Sequence, residues 1–520
     1  MALLADIIQV VAQHPYMVLC LLLTAAVSGL SVYRLYFHPL AKFPGPKLAA
    51  VTLWYEYYYD GIKQGQYTFE IQRMHEKYGP IVRISPHELH VNDPSFIDIL
   101  YAGGGKRRDK YEYYATQFGL PESLFGTANH DHHRLRRSAL NRFFSKAAVT
   151  QLEPMITKKV QDICDLIQAH AGSGEPISLS NAYSCMTSDI AAEYAFGRST
   201  NFVSPDNPKF ERNFRRPILT GSKLGVHTKQ FPWIQPILNL IPISVIKYLD
   251  EGLAGLAEFQ KGISTQVKDI LDGVNSEKKG GRTIFHELLA GNLPPEEKTL
   301  TRLGQEGQLI VGAGTETAGW SLSVTIFYLL SQPETLAKLR RELEQAIPDP
   351  SNLPPVKTLE KLPYLMSISN SFLPGRKLIV KFTAQSSLKA YDYLMALLVV
   401  RSVSRQMHRS RTNHHKFLSD TRSLPVLQWK YIPERWLDHE GIRHRHLDPY
   451  LMSFSKGSRQ CLGINLAYAE LHLGLAGVVR RLGDRLELFE TTSKDVEFKH
   501  DYFLPIPATS NGVRVLVQAD

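Results

Sequence analysis

The residues best placed to do chemistry lie late in the chain, in Phe454-Ser-Lys-Gly-Ser-Arg-Gln-Cys-Leu-Gly463, which reads FxxGxRxCxG. A cysteine binds a metal as thiolate, so it needs backbone donors and positive charge close by. A helix beginning just after Leu462 would aim its free N–H groups at Cys461. Gly457 and Gly463 allow a tight turn and close approach of the backbone to a bound group. Arg459 offers charge-assisted hydrogen bonds to a carboxylate, and Phe454 an apolar screen for the sulfur. A lone cysteine is more often buried filler, but this many constraints within ten residues favour a thiolate socket.

A second pattern is Ala313-Gly-Thr-Glu-Thr-Ala318, inside an apolar stretch that predicts a helix from about Leu303 to Leu330. A Thr317 hydroxyl bonding back to the Ala313 carbonyl would loosen the helical ladder and open a groove, with Glu316 as a proton relay. Packing is the ordinary role of Gly and Thr in a buried helix, and the location about 145 residues before Cys461 weighs against that alone. In His133-Arg-Leu-Arg-Arg137 the spacing puts two donors one turn apart on a helix face, with a solvated basic face as the alternative for Arg134 and Arg136. Asn129-His-Asp-His-His133 carries metal-compatible side chains but has no second cluster to close a tetrahedral site, so a zinc reading is rejected.

The cysteine pattern resembles the cysteine loop of cytochromes P450, and AGTET resembles that family's oxygen-activating helix. The resemblance implies haem b ligated by Cys461 and surrounded by Ala313, Phe454, Gly457, Arg459 and Gly463, with a propionate on His133 and Arg137. It implies Glu316 and Thr317 as catalytic residues, O2 as substrate, and electrons from NADPH through an NADPH-cytochrome reductase. Charge placement predicts that an acidic domain of this reductase docks on a basic surface including Lys456. The stretch from His38 to about Glu153 resembles fungal secondary-metabolite members of the trichodiene oxygenase type. That implies a small lipophilic substrate, such as a terpenoid, hydroxylated or epoxidised in a biosynthetic pathway. Phe118, Leu120, Ala313, Thr317 and Phe503-Leu-Pro-Ile506 are candidate pocket positions, each equally compatible with ordinary core. An oxygen-independent haem-thiolate isomerase or dehydratase is an alternative, against which Glu316 and Thr317 speak.

One interval departs from the family. Pro433-Glu-Arg-Trp436 resembles the tetrad whose arginine, here Arg435, normally meets an ExxR pair on an upstream helix. Counting from Leu362-Pro-Tyr-Leu365 places the glutamate near Ser371 and the arginine near Pro374, and neither is present. Residues 366–430 lack clear periodicity and carry a basic surplus. A frame-shifted stretch is favoured over a divergent insertion. It predicts poor folding there and weak haem binding, and it makes a defective or non-catalytic membrane haemoprotein the competing function.

These residues must be positioned by a mainly helical fold with small β-sheets, the cytochrome P450 class. Helical periods run through the 150s, 180s, 250s and 300–345, with strand-like alternation at Ile81–Ser85 and Gly512–Gln518. The chain divides into an N-terminal anchor (1–36), a proline-rich hinge (37–47) and a catalytic domain (48–520) containing the anomalous interval. From Ala12 to Tyr33 there is no charged side chain, long enough for a span. Arg34, Lys42 and Lys47 follow it, which predicts a single-pass endoplasmic reticulum protein with a cytosolic catalytic domain. Apolar content of 43% and charged content of 21% exclude a disordered or collagen-like chain. Of the net +10, a surplus of nine falls between Leu365 and Lys430, so no spread basic face points to nucleic acid. The four cysteines are too far apart for a zinc motif or a secreted disulfide framework.

Overall fold

The computed structural model describes residues 12–101, 103, 106–274, 283–372, 380–382 and 431–519. It forms two compact units: residues 1–97 with 379–388, and 98–378 with 389–520.

In the first unit, helix α1 (Pro15–Val32) continues through a wider turn, Tyr33–Phe37, and is long and apolar enough to cross a membrane, with none of its span buried in protein. The helical stretch ends at Phe37, two residues before Pro39, which has no N–H to extend the ladder. Helix α2 (Tyr67–Tyr78) stops at Gly79, whose φ of +95° is open to glycine and strained for other residues. Strand β1 (Ile81–Ser85) then pairs antiparallel with β2 (Glu88–Val91), and β2 pairs with β4 (Val380–Phe382).

The second unit is the helical body. Its long helices are α3 (His130–Asn141), α4 (Lys146–Gln168), α5 (Leu179–Phe196), α6 (Arg215–Gln230), α7 (Ile234–Leu240), α8 (Ile243–Leu249), α9 (Glu251–Leu271), α10 (Leu300–Ser331), α11 (Pro333–Ala346), α12 (Pro363–Phe372) and α13 (Ile464–Leu482). The periodicity over 300–345 is two helices, because Pro333 lacks the N–H that would continue α10. Helices α6 to α8 were not legible as helical periods, since Pro217, Pro236 and Pro242 and the glycines of α6 break the pattern. The sheets are small: β3 (Ile177–Ser178), β5 (Leu486–Leu488) and β8 (Arg514–Val517) make one, and β6 (His500–Tyr502) with β7 (Leu504–Ile506) a hairpin.

Helix α5 is buried almost throughout and packs along α10. Close approach depends on small residues: a Cβ on Gly319 would sit 3.2 Å from the Ser184 nitrogen, and one on Gly314 3.1 Å from Ala191 Cβ. Several polar groups that burial would orphan find partners. Thr187 Oγ1 donates to the Thr315 carbonyl at 2.7 Å, and Asp189 receives Lys159 Nζ at 3.1 Å and the backbone N–H of Phe202 at 3.0 Å. This rigid pair fixes the rotation of α10, and so which of its residues stay accessible.

Candidate active site

The chain from Phe454 to Gly463 folds back on itself. Ser455 and Gly457 adopt left-handed φ of 56° and 72°, and the Cys461 N–H donates to the Phe454 carbonyl at 2.9 Å. Helix α13 starts at Ile464, as the motif predicts, and the Gly463 N–H is directed at the Cys461 sulfur. Gly463 itself sits at φ −84°, so no turn demands glycine there. The Phe454 ring packs against Tyr468 at 5.0 Å between centroids. Cys461 is an accessible free thiol. Enough protein surrounds the sulfur that burial raises its pKa, opposed by the Gly463 N–H and then Arg137. The donors foreseen in the sequence are present, but alone they do not make a thiolate.

Around this loop gather four basic side chains, each a hydrogen-bond donor, of which burial keeps His133 neutral. His133, on α3, is buried, and its pKa falls to about 3 through burial and then the fields of Arg459, Arg137, His130 and Lys110. Arg459 donates to the Thr127 and Ala128 carbonyls at 2.8 and 2.7 Å, and burial lowers its pKa to about 10. Its Nε is buried with no hydrogen-bond partner among the described residues. Arg137 donates to the Gln460 carbonyl at 2.6 Å. Asp109 is the acid acting on Arg459, and its Oδ1 already accepts the His130 N–H at 2.7 Å. Sequence reasoning missed the fourth donor, Lys110. Its Nζ donates to the Phe125 carbonyl at 2.8 Å, and burial followed by Arg459 pushes its pKa well below the usual range. No local motif marks it; the tertiary meeting with Arg459 does.

Arg134 is exposed, as a solvated face requires, but Arg136 is buried. Arg136 and Arg302 both bind Glu297, at 2.7 and 2.9 Å, and His132 joins them. Burial would raise the Glu297 pKa, but bonds from Arg136, His132 and Arg302 outweigh it and hold it at about 2. One carboxylate thus ties the start of α10 to α3, the helix of His133 and Arg137.

On α10, Thr317 Oγ1 donates to the Ala313 carbonyl at 2.7 Å, the back-bond expected from the sequence. The helix is nonetheless unbroken from Leu300 to Ser331, and Thr315, Ser321, Ser323 and Thr325 make the same kind of bond. The expected opening of the ladder is therefore absent; the hydroxyl shares an acceptor that keeps its helical role. Ala313 and Thr317 are exposed on one side of the helix, whereas Glu316, one residue away and about 100° round it, is buried on another. Its Oε1 lies 3.3 Å from Arg215 Nε on α6, an ion contact without hydrogen-bond alignment, while Oε2 has no partner among the described residues. Burial raises the Glu316 pKa to about 7 against the pull of Arg215, whose guanidinium lies over Trp320. No hydrogen bond joins Glu316 to Thr317 among the described residues.

The pocket candidates divide. Phe118 and Phe503 meet each other and Phe125, with centroids 5.1 to 5.5 Å apart, and Lys110 Nζ lies 3.2 Å from the centre of the Phe125 ring. Ile506 instead joins Val226 and Tyr502 in a small buried cluster. The loop after Phe118 is pinned to α10, because the N–H groups of Glu122 and Leu124 donate to Gln305 and Glu306 at 2.7 and 3.0 Å.

Pro433–Trp436 forms a single helical turn, and Glu434 binds Lys338 Nζ and the Tyr364 hydroxyl at 2.7 and 2.8 Å. Arg435 is half-buried, and burial lowers its pKa. Ser371, where a glutamate was expected, lies on α12, next to an Asn370 whose buried side-chain amide has no partner among the described residues. Pro374 and most of the anomalous interval lie outside the described residues.

The cytochrome P450 family profile matches residues 44–369 and 429–507. A cytochrome P450 monooxygenase of Ascocoryne sarcoides is 42% identical over 513 residues, covering 94% of this chain and 96% of the relative. The conidiogenone synthase of Penicillium rubens is 38% identical over 487 residues, with 94% and 95% covered. The tryptophan 6-hydroxylase of Fusarium equiseti is 36% identical over 504 residues, with 96% of each covered. With most of its length inside the family profile and full-length relatives well above 30% identity, this chain belongs to the cytochrome P450 family and is a monooxygenase.

Proposed function

We propose that the protein hydroxylates or epoxidises a small lipophilic metabolite in a biosynthetic pathway, with Cys461 as the ligand of a haem iron. The convergence of Lys110, His133, Arg137 and Arg459 beside the cysteine loop, with the Arg459 Nε unpartnered, carries this reading. It is the donor set that two carboxylates on a buried group would satisfy. Bound there, haem supplies the iron at which O2 is activated by reductase-delivered electrons.

The chain's own contribution follows from the geometry. Cys461 Sγ receives the Gly463 N–H, and metal charge would complete the deprotonation that burial resists. Thr317, fixed by its bond to Ala313, presents a hydroxyl oxygen on the accessible face of α10. Glu316 Oε2, with a pKa of about 7, holds or releases a proton near neutrality under the restraint of Arg215. Phe118, Phe125 and Phe503 supply an aromatic wall. The names of the relatives support two substrate classes, indole amino acids and conidiogenone precursors, alongside the terpenoid class implied by the N-terminal resemblance.

The purified full chain should show a thiolate-type carbon-monoxide difference spectrum and, with a reductase and NADPH, oxygenate a member of a panel containing tryptophan, N-acetyltryptophan and terpenoids. A thiolate spectrum without turnover of any lipophilic compound would remove the substrate reading. Lys110→Met should accelerate haem loss to a scavenging apoprotein roughly ten-fold, the worth of one charge-assisted hydrogen bond. Unchanged loss would confine Lys110 to its contact with Phe125.

A second reading, a membrane haemoprotein of little or no activity, is favoured by one observation: the family profile stops at residue 369 and resumes at 429, bracketing the interval that lacks ExxR. Sequencing the transcript across 366–430 separates the two. A corrected frame that restores Glu-x-x-Arg supports the monooxygenase; a confirmed sequence without a thiolate spectrum supports the second reading.

A further inference from the structure

At the foot of the apolar span the first unit holds a small cavity of about 200 Å³, lined by Leu35, Tyr36, Ala41, Phe43, Pro44, Gly45, Lys47, Ala50 and Arg83. The lining combines aromatic and aliphatic residues with Lys47 and Arg83, and among the described residues no carboxylate lines it. Arg83 is 1% exposed and locked in place: Nη1 donates to the Arg34 carbonyl at 2.8 Å, and Nη2 to those of Pro86 and Ala50 at 2.9 and 3.3 Å. Gly45 is held against this strand, where a Cβ would lie 2.3 Å from the Arg83 carbonyl oxygen.

The surroundings are positive as well. Arg34 reaches down to the Val51 carbonyl. His38 and His87 lie edge to face at 5.7 Å, and the His38 Nδ1 accepts the Leu40 N–H, which fixes a neutral tautomer. Burial and then the fields of Arg83, His87 and Arg34 lower the His38 pKa to about 4, so His38 stays neutral near pH 7 and adds no charge of its own. Depth is set by the span. Tyr33, Tyr36 and Phe37 are 47%, 69% and 73% exposed, a cluster of aromatic rings at the end of an apolar helix, which is where a bilayer's headgroup layer begins.

We propose that this cavity binds the phosphate-bearing headgroup of an anionic phospholipid, with Lys47 and Arg83 facing the phosphate and Leu35, Tyr36 and Phe43 against the glycerol and first methylenes. The inference rests on Pro15–Phe37 spanning a bilayer. The chemistry is that of a phosphate ester in a preformed basic pocket, and attachment to acyl chains keeps it at the depth of Tyr36. The span would then be more than a tether, since a lipid of the correct charge would fasten its lower end to the sheet of β1 and β2.

The test uses the full chain in detergent micelles, titrated with phosphatidylserine, phosphatidylcholine or glycerol 3-phosphate and followed by native mass spectrometry. Phosphatidylserine should saturate at one lipid per chain. Lys47→Glu should weaken that binding roughly ten-fold and Lys47→Arg should retain it. Equal binding of phosphatidylcholine, unsaturable binding, or a Lys47→Glu chain that binds as the parent would overturn the proposal. Occupancy by glycerol 3-phosphate at equal concentration would overturn the lipid assignment. Alkaline carbonate extraction of membranes, run alongside, separates the failures: a chain that stays in the pellet but shows no saturable binding refutes the socket, and release into the supernatant refutes the span beneath it.

Discussion

Cys461→Ser is expected to abolish the thiolate-type carbon-monoxide spectrum and all monooxygenase turnover. The loop should survive the change. Its turn is made by the backbone bond from Cys461 N–H to the Phe454 carbonyl and by the left-handed Ser455 and Gly457, none of which uses the sulfur. A hydroxyl cannot take the place of the thiol, because its proton is far harder to remove and oxygen is a harder ligand with less charge to donate to iron. The variant should still retain some haem, since Lys110, His133, Arg137 and Arg459 are untouched; haem content by pyridine haemochrome therefore falls less than the thiolate signal. A variant with an unaltered thiolate spectrum would mean that another group is the ligand.

The second large effect concerns pH. An acid whose pKa rises from 4.5 to about 7 on folding binds its proton more tightly in the native state. It therefore lowers stability progressively as pH rises from about 4.5 to 7, by roughly 3 kcal/mol once ionised. Glu316→Gln should remove that slope, so that its stability advantage over the parent, read from urea unfolding at successive pH values, grows across this window and is flat above it. In turnover with a working substrate, peroxide released per NADPH oxidised should rise in the parent above about pH 7, as Glu316 Oε2 loses its proton. Arg215→Met removes the cation that holds the pKa down, and should move that midpoint upward. An identical midpoint in Arg215→Met would show that the pair does not control proton supply.

The sequence was most informative where chemistry is local. The turn at Gly457, the start of α13 at Ile464 and the Thr317 back-bond each depend on residues within one turn of one another, and all three stand as read. Tertiary effects were illegible. Burial sets the sign of the Cys461 pKa shift against two favourable neighbours, and Arg215, about a hundred residues before Glu316, captures an acid expected to face the reaction. Arg136 resembled its exposed neighbour Arg134 and became a buried partner of Glu297, because its partner's position is a property of packing. The proline-broken helices from Arg215 to Leu249 hid their period for a local reason: each is short or interrupted where the pattern needs length.

The Glu297 node gives the molecule a division of labour between what must be kept and what is free to vary. Glu297 binds Arg302 at the start of α10 and Arg136 on α3 through contacts that involve neither Phe118 nor Leu120. The loop bearing those two side chains is fastened to α10 by backbone N–H groups, which any non-proline residue supplies. Exchanging Phe118 or Leu120, both in the pocket proposed above, therefore leaves in place the bonds that set the register of the two helices behind that loop. In that proposed pocket a few side chains can be exchanged one at a time, while loss of Arg136, Glu297 or Arg302 would leave a buried charge without its partner.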